Sequence, residues 1–254
     1  MNENEGIGAP APEERPAIVL VEPQLGENIG ATARAMLNCG LEDLRLVNPR
    51  DGWPNPAAWA MASGATAVLD QVRVFDSVPA AVADLHKIYA TTARHRYMVK
   101  FELTPKRLAQ DIHQSAAAGA RSGILFGRER TGLENDEVAL SDAVVVVPLN
   151  PDFTSLNLAQ AVLLIAYEWF QAKAEAPERK LVLLDTRPAT QEERHLFFTR
   201  LEKTLEETNF FRTVAMRETQ WRKVQNLFSR ADLTEQELRI LHGMLSAFEG
   251  RRQR

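Results

Sequence analysis

Cysteine is nearly absent from this chain. Cys39 is the single cysteine in 254 residues, so the sequence excludes an intramolecular disulfide and a zinc site built from several thiolates. The histidines do not predict a metal site either, because their positions show no metal-ligand spacing. They are His86, His95, His113, His195 and His242. We therefore predict that the protein needs no metal.

Long apolar runs are lacking as well. No stretch approaches the roughly 20 residues that a membrane-spanning helix requires. Residues 1–15 are rich in Glu, Pro and Gly and have no apolar core, which is typical of a disordered tail and not of a signal peptide. The sequence therefore predicts a cytoplasmic protein that makes no contact with a membrane.

The chain has no overall excess of positive charge, since its formal net charge is −4. The total conceals an asymmetry between the two parts of the chain. Residues 1–174 hold 15 Lys and Arg against 21 Asp and Glu, whereas residues 175–254 hold 15 against 13. A weak basic bias of this kind is either a solvated face or a nucleic-acid contact, and charge alone leaves both open.

Short apolar runs alternate with helical patterns along the first two thirds of the chain. These runs span residues 17–21, 44–47, 72–75, 87–90, 124–126 and 143–147. The runs at 124–126 and 143–147 are β-branched or aromatic and are bounded by Gly, Pro or Asn, which favours buried parallel strands. The alternation predicts an α/β fold with a mainly parallel sheet.

Capping signals predict where helices begin and end. Asn28 is placed to cap the first helix, and Gly40 to end it. Pro105 occupies the first turn of a helix over residues 104–115. Thr154 or Ser155 can cap a later helix, whose apolar residues recur at helical spacing. Further helices are predicted near residues 59–62 and 79–85.

Two loops that follow predicted strands carry aromatic residues. The loop over residues 48–56 is turn-rich and contains Trp53, so it is either a substrate loop or a simple connection. Residues 91–97 contain Arg94 and Arg96 beside Tyr97. Such a cluster suits phosphate contacts and base stacking, although a solvated loop would look the same.

Two common chemistries of α/β sheets are poorly supported. A dinucleotide-binding site needs Gly-x-Gly-x-x-Gly directly after a strand, and the loop after Val21 lacks that spacing. The nucleophile elbow Gly-x-Ser-x-Gly does not occur either. Hydride transfer and serine hydrolysis are therefore disfavoured.

Three loop sequences instead resemble the motifs of a known family. They are Asn-Ile-Gly-Ala-Thr-Ala-Arg at 28–34, Phe-Gly-Arg-Glu-Arg-Thr-Gly-Leu at 126–133, and Pro-Leu-Asn at 148–150 with Ser-Leu-Asn-Leu at 155–158. Their order and spacing resemble the SpoU/TrmH branch of the SPOUT RNA methyltransferases. The resemblance implies a deep trefoil knot at the C-terminal end of the α/β domain, S-adenosyl-L-methionine as cofactor, and a homodimer whose subunits complete each other's site.

S-adenosylmethionine carries no phosphate, so its pocket needs apolar walls and close backbone approach but no glycine-rich phosphate cradle. Gly127 and Gly132 would supply the close approach and the tight turn. The resemblance places the cofactor on four loops. The predicted cofactor-binding residues are Thr91, Thr92, Ala93, Leu125, Gly127, Val147, Leu149, Thr154, Ser155, Leu156 and Asn157. Ser155 and Asn157 are alternatively ordinary residues of a helix start.

The resemblance also implies catalytic roles for Arg34, Asn28 and Ser155. An arginine is effectively always protonated and is a poor base, so Arg34 is expected to stabilise a developing alkoxide or orient a phosphate, unless its stem merely covers a helix face. Asn28 is either an N-cap alone or both a cap and a ribose contact. Glu129 is expected to stabilise its turn, with orientation of Arg34 as the alternative.

The last part of the chain reads as a separate helical extension. Residues 174–189 form a linker with a short apolar strand or clip at 181–184, and capping boxes at Thr190 and Thr234 open two helices. Between them lies an Arg–aromatic segment. This arrangement resembles the TrmJ family, which methylates tRNA. We therefore expect domains at 1–15 (tail), 16–173 (SPOUT), 174–189 (linker) and 190–254 (tRNA-binding extension).

The family resemblance implies a tRNA cytidine/uridine 2′-O-methyltransferase acting at position 32 of the anticodon loop. Phosphate-contacting residues are expected on both parts of the chain. They are Arg94, Arg96, Arg217, Arg222 and Lys223. Two alternatives remain open at this point: an rRNA 2′-O-methyltransferase of the same fold, and a non-catalytic RNA-binding protein.

Overall fold

The computed structural model of the protein describes residues 15–92, 98–174, 183, 185–211 and 213–251. The chain divides into two compact units, Met1–Ala176 and Pro177–Arg254. Residues 1–14 of the predicted tail and most of the predicted linker and clip lie outside the described residues. Leu183, the described residue of that clip, belongs to no helix or strand.

The first unit contains a seven-stranded sheet. The strands are β1 (Ala17–Val21), β2 (Leu44–Val47), β3 (Arg73–Phe75), β4 (Lys87–Thr91), β5 (Phe101–Leu103), β6 (Ser122–Phe126) and β7 (Ala143–Val145). Their order is β3-β2-β1-β6-β4-β7-β5, and every neighbouring pair is parallel. The predicted parallel α/β architecture is confirmed, and the carboxyl ends of the strands meet at one edge.

Strand β5 was not among the predicted strands. It is three residues long and lies at the end of the sheet, and its first residue, Phe101, is 81% exposed. A short edge strand of this kind carries no run of buried residues, so its sequence has no strand signal. The predicted run at 143–147 also forms a regular strand only as far as Val145.

Helices cover both faces of the sheet. They are α1 (Gly26–Asn38), α2 (Pro56–Ala62), α3 (Thr66–Asp70), α4 (Val78–Val82), α5 (Pro105–Ala117), α6 (Asn135–Ala139) and α7 (Leu158–Gln171). The side chains of alternate residues of β1 point to opposite faces of the sheet, as the pleat of a strand requires. Ile18 packs in a large core with α1, α2, α5 and α7, and Val19 packs in a smaller core beneath α4 and α6.

Helices α1 and α2 approach each other through glycine. A Cβ atom on Gly30 would lie 2.0 Å from the carbonyl oxygen of Ala58, and one on Gly26 would lie 2.5 Å from Oδ1 of Asn55. No larger residue fits at Gly30 without separating the two helices, whereas a larger residue at Gly26 would have to displace the Asn55 side chain. The glycines therefore fix α1, which carries Arg34, against the loop and helix that follow β2.

A buried cation anchors the opposite, amino edge of the sheet. Arg45 of β2 is fully buried and donates hydrogen bonds to Asp43 (Nη2 to Oδ2, 2.8 Å) and to both carboxylate oxygens of Asp84. Arg73 and Arg121 donate to the same carboxylates. The hydrogen bond from Arg45 lowers the pKa of Asp84 to about 2, although burial acts in the other direction.

In the described residues of the second unit the helices are α8 (Gln191–Glu207), α9 (Val214–Ser229) and α10 (Glu235–Arg251). Both predicted capping boxes are confirmed. The backbone N–H of Glu193 donates to Oγ1 of Thr190, and the backbone N–H of Glu237 donates to Oγ1 of Thr234. Phe197 lies at the centre of a separate hydrophobic core formed by all three helices.

In the part of the chain that the structure describes, no helix combines the length and the apolar character needed to cross a membrane. The same residues contain no group of three or more His, Cys, Asp or Glu side chains placed to hold a metal ion.

Candidate cofactor and RNA site

A cavity of about 320 Å³ opens at the carboxyl edge of the sheet, which is where ligands bind in open parallel sheets. Its walls come from the ends of β4, β6 and β7, the loops that follow β6 and β7, and one side of α7. The residues that line it are Thr91, Thr92, Phe126, Gly127, Arg128, Glu129, Arg130, Thr131, Gly132, Leu133, Val145, Val146, Val147, Leu149, Thr154, Ser155, Leu156, Leu158, Ala161 and Ile165.

The loop after β6 folds back on itself and forms one wall of the cavity. Gly132 has a φ of +71°, and its N–H donates to the carbonyl oxygen of Arg128 at 2.9 Å. A Cβ atom on Gly127 would lie 2.2 Å from the backbone of Gly132 and Leu133. A side chain at Gly127 would push the loop open, and the tight turn expected at Gly132 is confirmed by its positive φ. The expected close approach of Gly127 to the cofactor stays a prediction.

Arg128 holds this loop in place through two bidentate ion pairs. Its guanidinium donates to Glu22 (Nη2 to Oε1, 2.6 Å; Nε to Oε2, 2.8 Å) and to Glu137 (both contacts 3.1 Å). The hydrogen bond from Arg128 lowers the pKa of Glu22, and the hydrogen bonds to Glu22 and Glu137 raise the pKa of Arg128 above its ordinary value. Burial acts in the opposite direction on both groups and is outweighed. Glu22 directly follows β1 and has a left-handed backbone conformation, with a φ of +45°. Its ion pair with Arg128 is made in this conformation.

Most predicted cofactor residues line this cavity. They are Thr91, Thr92, Gly127, Val147, Leu149, Thr154, Ser155 and Leu156. Leu125 was misplaced by the prediction. It is fully buried in the smaller core, because alternation along β6 turns its neighbour Phe126 towards the cavity and Leu125 away from it. Ala93 lies outside the described residues.

Two predicted helix caps were wrong. Helix α1 begins at Gly26 and not at Asn28, and its N-cap residue Leu25 makes no side-chain capping bond. Helix α7 is capped by Asn157 and not by Thr154 or Ser155, since Oδ1 of Asn157 accepts the backbone N–H of Ala159 at 2.9 Å. Thr154 and Ser155 instead belong to the exposed segment that lines the cavity.

Asn28, Glu129 and Asn157 form a hydrogen-bonded chain that joins all three motif loops. Nδ2 of Asn28 donates to Oε1 of Glu129 at 2.9 Å, and Oδ1 of Asn28 accepts from Nδ2 of Asn157 at 2.9 Å. Glu129 also accepts the backbone N–H of Gln24 and, at longer range, of Leu25. Asn28 is 9% exposed and is not among the residues that line the cavity.

The predicted cationic residues have different surroundings. Arg34 is exposed on α1 and does not line the cavity. In the second unit Arg217 donates to Glu202 (2.9 Å) and Glu206, and its guanidinium lies 5.9 Å from the ring centre of Phe211. Arg222 pairs with Glu218 one turn earlier, and Lys223 is exposed. Arg94 and Arg96 lie outside the described residues.

Sequence reasoning did not select several residues that line the cavity. Arg128 and Arg130 stand inside the second motif, where their spacing gives no indication that one is held by Glu22 and the other is exposed. Ala161 and Ile165 belong to α7, whose contribution to the cavity depends on how the helix packs against the sheet. A helical periodicity pattern reports burial and does not distinguish a core from a cavity wall.

The cavity is suited to a nucleoside-sized ligand. Its volume lies at the lower end of the range of about 300–1,000 Å³ usual for small-molecule pockets. Leu149, Leu156 and Phe126 supply apolar walls, and the hydroxyl groups of Thr92 and Ser155 supply polar contacts. This donor set matches S-adenosylmethionine, which needs apolar packing for adenine and hydrogen bonds for its ribose and amino-acid parts. The fold and the cavity thus define an α/β protein with a nucleoside-type cofactor site.

Comparison with known proteins identifies the family. Residues 15–167 match the model of the SpoU rRNA methylase family, and residues 192–254 match the tRNA methyltransferase TrmJ, C-terminal domain. The chain belongs to the SpoU rRNA methylase family. It is an RNA methyltransferase that uses S-adenosylmethionine, as the sequence motifs predicted.

Individual relatives match along nearly the whole chain. The TrmJ tRNA (cytidine/uridine-2′-O-)-methyltransferase of Sodalis glossinidius is 37% identical over 91% of this chain and 90% of its own. The tRNA (cytidine/uridine/adenosine-2′-O-)-methyltransferase TrmJ of Pseudomonas aeruginosa is 34% identical over 92% and 93%. The crystal structure of TrmJ from Z. mobilis ZM4 is similar with a TM-score of 0.81 and 49% identity, covering 92% and 99%.

Proposed function

We propose that this methyltransferase modifies the 2′-hydroxyl of a ribose in tRNA, at position 32 of the anticodon loop, in the cytoplasm. The observation that carries the proposal is the joint presence of the cofactor cavity and a second unit matching the TrmJ C-terminal domain. The TrmJ relatives named above act on cytidine and uridine, and one also on adenosine. The position within the anticodon loop rests on the resemblance to the TrmJ family.

Different residues of the cavity are suited to different parts of the cofactor. When bound, S-adenosylmethionine supplies the methyl group. Leu149, Leu156 and Val147 would enclose its adenine, and Gly127, where a side chain would collide with Gly132 and Leu133, would keep the wall formed by the loop after β6 in place. Thr92 and Ser155 are placed to hydrogen-bond its polar groups, and Ser155 also stands at the cavity rim, where the ribose arrives.

Arg34 acts on the target nucleotide. Its guanidinium stays protonated at any relevant pH, so it stabilises the alkoxide that develops as the 2′-hydroxyl loses its proton, or it orients the adjacent phosphate. Asn28 does not take the role of a ribose contact in this proposal. Its amide is occupied by Glu129 and Asn157, so it positions the three motif loops that surround the cavity and the start of α1.

The site is completed by a second copy of the chain. Arg34 is exposed and lies outside the cavity lining of its own chain, which is the arrangement expected when one subunit's arginine serves the partner's cavity. Helix α7, which packs on α1, exposes Leu163, Leu164 and Tyr167 at 41%, 38% and 51%. These apolar side chains would be buried in a homodimer. The proposal includes the trefoil knot implied by the family.

The second unit supplies additional contacts to tRNA. Arg222 and Lys223 are exposed on α9, and an exposed i,i+4 pair such as Arg222–Glu218 is weak enough to be replaced by a phosphate contact. Arg217 has a different task, because its two carboxylate partners on α8 make it a link between α8 and α9. The domain limits expected from the sequence, with the extension at 190–254, remain part of this proposal.

An rRNA substrate is the second candidate, since the family model that matches the first unit is described as an rRNA methylase. The test is incubation of the full chain with deuterated S-adenosylmethionine and either unmodified tRNA transcripts or rRNA, followed by nucleoside mass spectrometry. We expect a labelled 2′-O-methylated pyrimidine from the anticodon-loop fragment of tRNA. Label confined to rRNA, or to a base, would refute the proposed substrate.

A further inference from the structure

An exposed aromatic side chain stands beside the cofactor cavity and has no role in the mechanism above. Phe153 is 73% exposed and lies between Asn150 and Ser155, in the loop that follows β7. Its neighbours Leu149, Thr154 and Ser155 line the cavity, whereas Phe153 does not. The ring therefore belongs to the rim of the cavity and faces solvent.

A tight turn holds Phe153 in this position. The N–H of Phe153 donates to the carbonyl oxygen of Asn150 at 2.9 Å, and the N–H of Asp152 donates to Oδ1 of Asn150 at 3.1 Å. Pro151 follows Asn150, and proline is the residue that favours the second position of such a turn. The backbone at Phe153 is thus ordered by local contacts, without burial of its ring.

Position distinguishes Phe153 from the other exposed aromatic residues of the described part of the first unit. Phe101 is 81% exposed but begins the edge strand β5, and Tyr167 lies in the third turn of α7. Phe153 is the one among these three that neighbours cavity residues directly in the chain. A large apolar ring kept in water at the rim of a site is suited to a flat apolar group of the substrate.

We propose that Phe153 is a substrate-positioning residue that stacks on the base of the nucleotide to be methylated. The inference rests on the proposed RNA substrate. Nucleotides in single-stranded loops are recognised with their bases turned out and stacked on aromatic side chains. Stacking on Phe153 would hold the target ribose at the rim, next to Ser155, while its 2′-hydroxyl enters the cavity.

Stacking also determines what kind of selectivity this contact provides. Every base presents a π-face, so an aromatic ring accepts all bases, whereas hydrogen bonds to base edges discriminate among them. Phe153 therefore sets the place of the nucleotide and not the identity of its base. Loss of the ring is expected to reduce transfer to cytidine and uridine targets by the same factor.

The test compares Phe153→Ala, Phe153→Leu and Phe153→Trp with Phe101→Ala, a matched loss of an equally exposed ring away from the cavity. Full-length protein and tRNA transcripts with cytidine or uridine at the target are used. From the usual size of base–aromatic stacking, we expect kcat/KM for tRNA to fall roughly 10- to 100-fold in Phe153→Ala. Phe153→Trp restores it, Phe153→Leu does not, and Phe101→Ala changes it less than about twofold.

Two further measurements separate stacking from structural roles. Calorimetric affinity for S-adenosylmethionine and the mass by light scattering are expected to be unchanged in Phe153→Ala. A change in either would overturn the proposal in favour of a cavity or subunit contact. Equal rates for Phe153→Leu and Phe153→Trp would overturn it as well, because apolar area alone would then suffice.

A fluorescence experiment tests whether Phe153 stacks on a base without relying on methyl transfer. An anticodon stem-loop carrying 2-aminopurine at each loop position in turn is mixed with the wild-type chain and with Phe153→Ala. We expect one position to be quenched by the wild type and not by the variant. If the wild type methylates no RNA, the proposed function has failed, and the quenching alone still decides whether Phe153 stacks on a base. Equal quenching at every position would refute the inference.

Discussion

The side-chain oxygen of Asn28 accepts a hydrogen bond from the side-chain nitrogen of Asn157 at 2.9 Å, across 129 residues of sequence. Asn157 simultaneously caps α7 with its oxygen, and Asn28 donates to Glu129. The start of α1, the loop after β6 and the start of α7 therefore share one polar contact at the cavity edge. Asn157, whose place in the sequence indicates an ordinary helix start, therefore also joins α7 to the other two motif segments through Asn28.

Asn157→Ala is expected to destabilise the protein by about 1–3 kcal/mol, because it removes the α7 cap and the hydrogen bond to Asn28. Asn157→Ser keeps an oxygen for the cap and is expected to lose less. Urea denaturation measures the free energy of unfolding, and calorimetry measures the affinity for S-adenosylmethionine, which falls in both variants. Equal stability of the two variants would show that the cap contributes little, whereas an Asn157→Ser variant as stable as the wild type would show that the contact with Asn28 contributes little.

Arg34→Ala is expected to lower transfer at least about 100-fold, the usual cost of removing one group that stabilises a developing oxyanion. Cofactor affinity should stay within about twofold of the wild type, because Arg34 lies outside the cavity lining. Methyl transfer is measured under single turnover and cofactor binding by calorimetry. Loss of cofactor binding in this variant would rule out the assigned role.

The homodimer is tested on the exposed face of α7. The double variant Leu164→Glu/Tyr167→Glu places two charges on a surface that we expect to be buried, so its mass by light scattering should fall to about 28.4 kDa, that of one chain. Transfer should fall with it. Phe101→Glu, a charge added on β5, is the matched control and should leave the mass unchanged. A wild-type chain that is already monomeric at micromolar concentration would contradict the proposal.

The ion pairs of Arg45 predict an acid-sensitive stability. Hydrogen bonding lowers the pKa of Asp84 from 3.8 to about 2, so its contribution is fully present above pH 3.8 and is lost as the pH falls towards 2. The difference in unfolding free energy between the wild type and Asp84→Asn should therefore be constant near neutrality and shrink over this interval. Asp70→Asn, an exposed change at the end of α3, should show no such trend.

Three variants test the separate roles proposed for residues of the second unit. Removal of residues after Ala174 should preserve cofactor binding and abolish most tRNA binding. Within the full chain, Arg222→Ala/Lys223→Ala should weaken tRNA binding and reduce its salt dependence without lowering the melting temperature. Arg217→Ala should lower the melting temperature instead, since Arg217 joins α8 and α9. A truncated protein that methylates tRNA as well as the full chain would show that the second unit is structural.

The sequence was most informative where local chemistry and burial agree. Buried β-branched runs such as Ala17–Val21 and capping boxes such as that of Thr190 can be read from neighbouring residues alone, and the structure confirms both. Phe101–Leu103 could not be found, because an exposed edge strand leaves no pattern. Helix α9 begins at Val214, and its N-cap residue Thr213 makes no side-chain capping bond, so its start carried no signal either.

The residues of the site were likewise predicted correctly where neighbouring residues in the sequence carried the signal. Gly127 and Ser155 were placed at the cavity because they belong to short motifs whose residues act together. Leu125 and Asn28 were misjudged, since their surroundings depend on strand alternation and on partners more than 100 residues away. Long-range polar contacts such as that between Asn28 and Glu129 are set by the packing of the whole domain, which a single sequence does not report.

The all-parallel sheet has a consequence for how the chain folds. Its central strands pair Ala17 with Gly123 and Ile18 with Ile124, and no two neighbouring strands are joined by a hairpin. Each pairing must close a long loop before any contact compensates the lost chain entropy, so the sheet is expected to form slowly. The cavity walls are contributed by residues between Thr91 and Ile165, so the cavity is complete only when β4, β6 and β7 have paired. A cofactor that binds this cavity therefore stabilises the folded chain relative to the unfolded one.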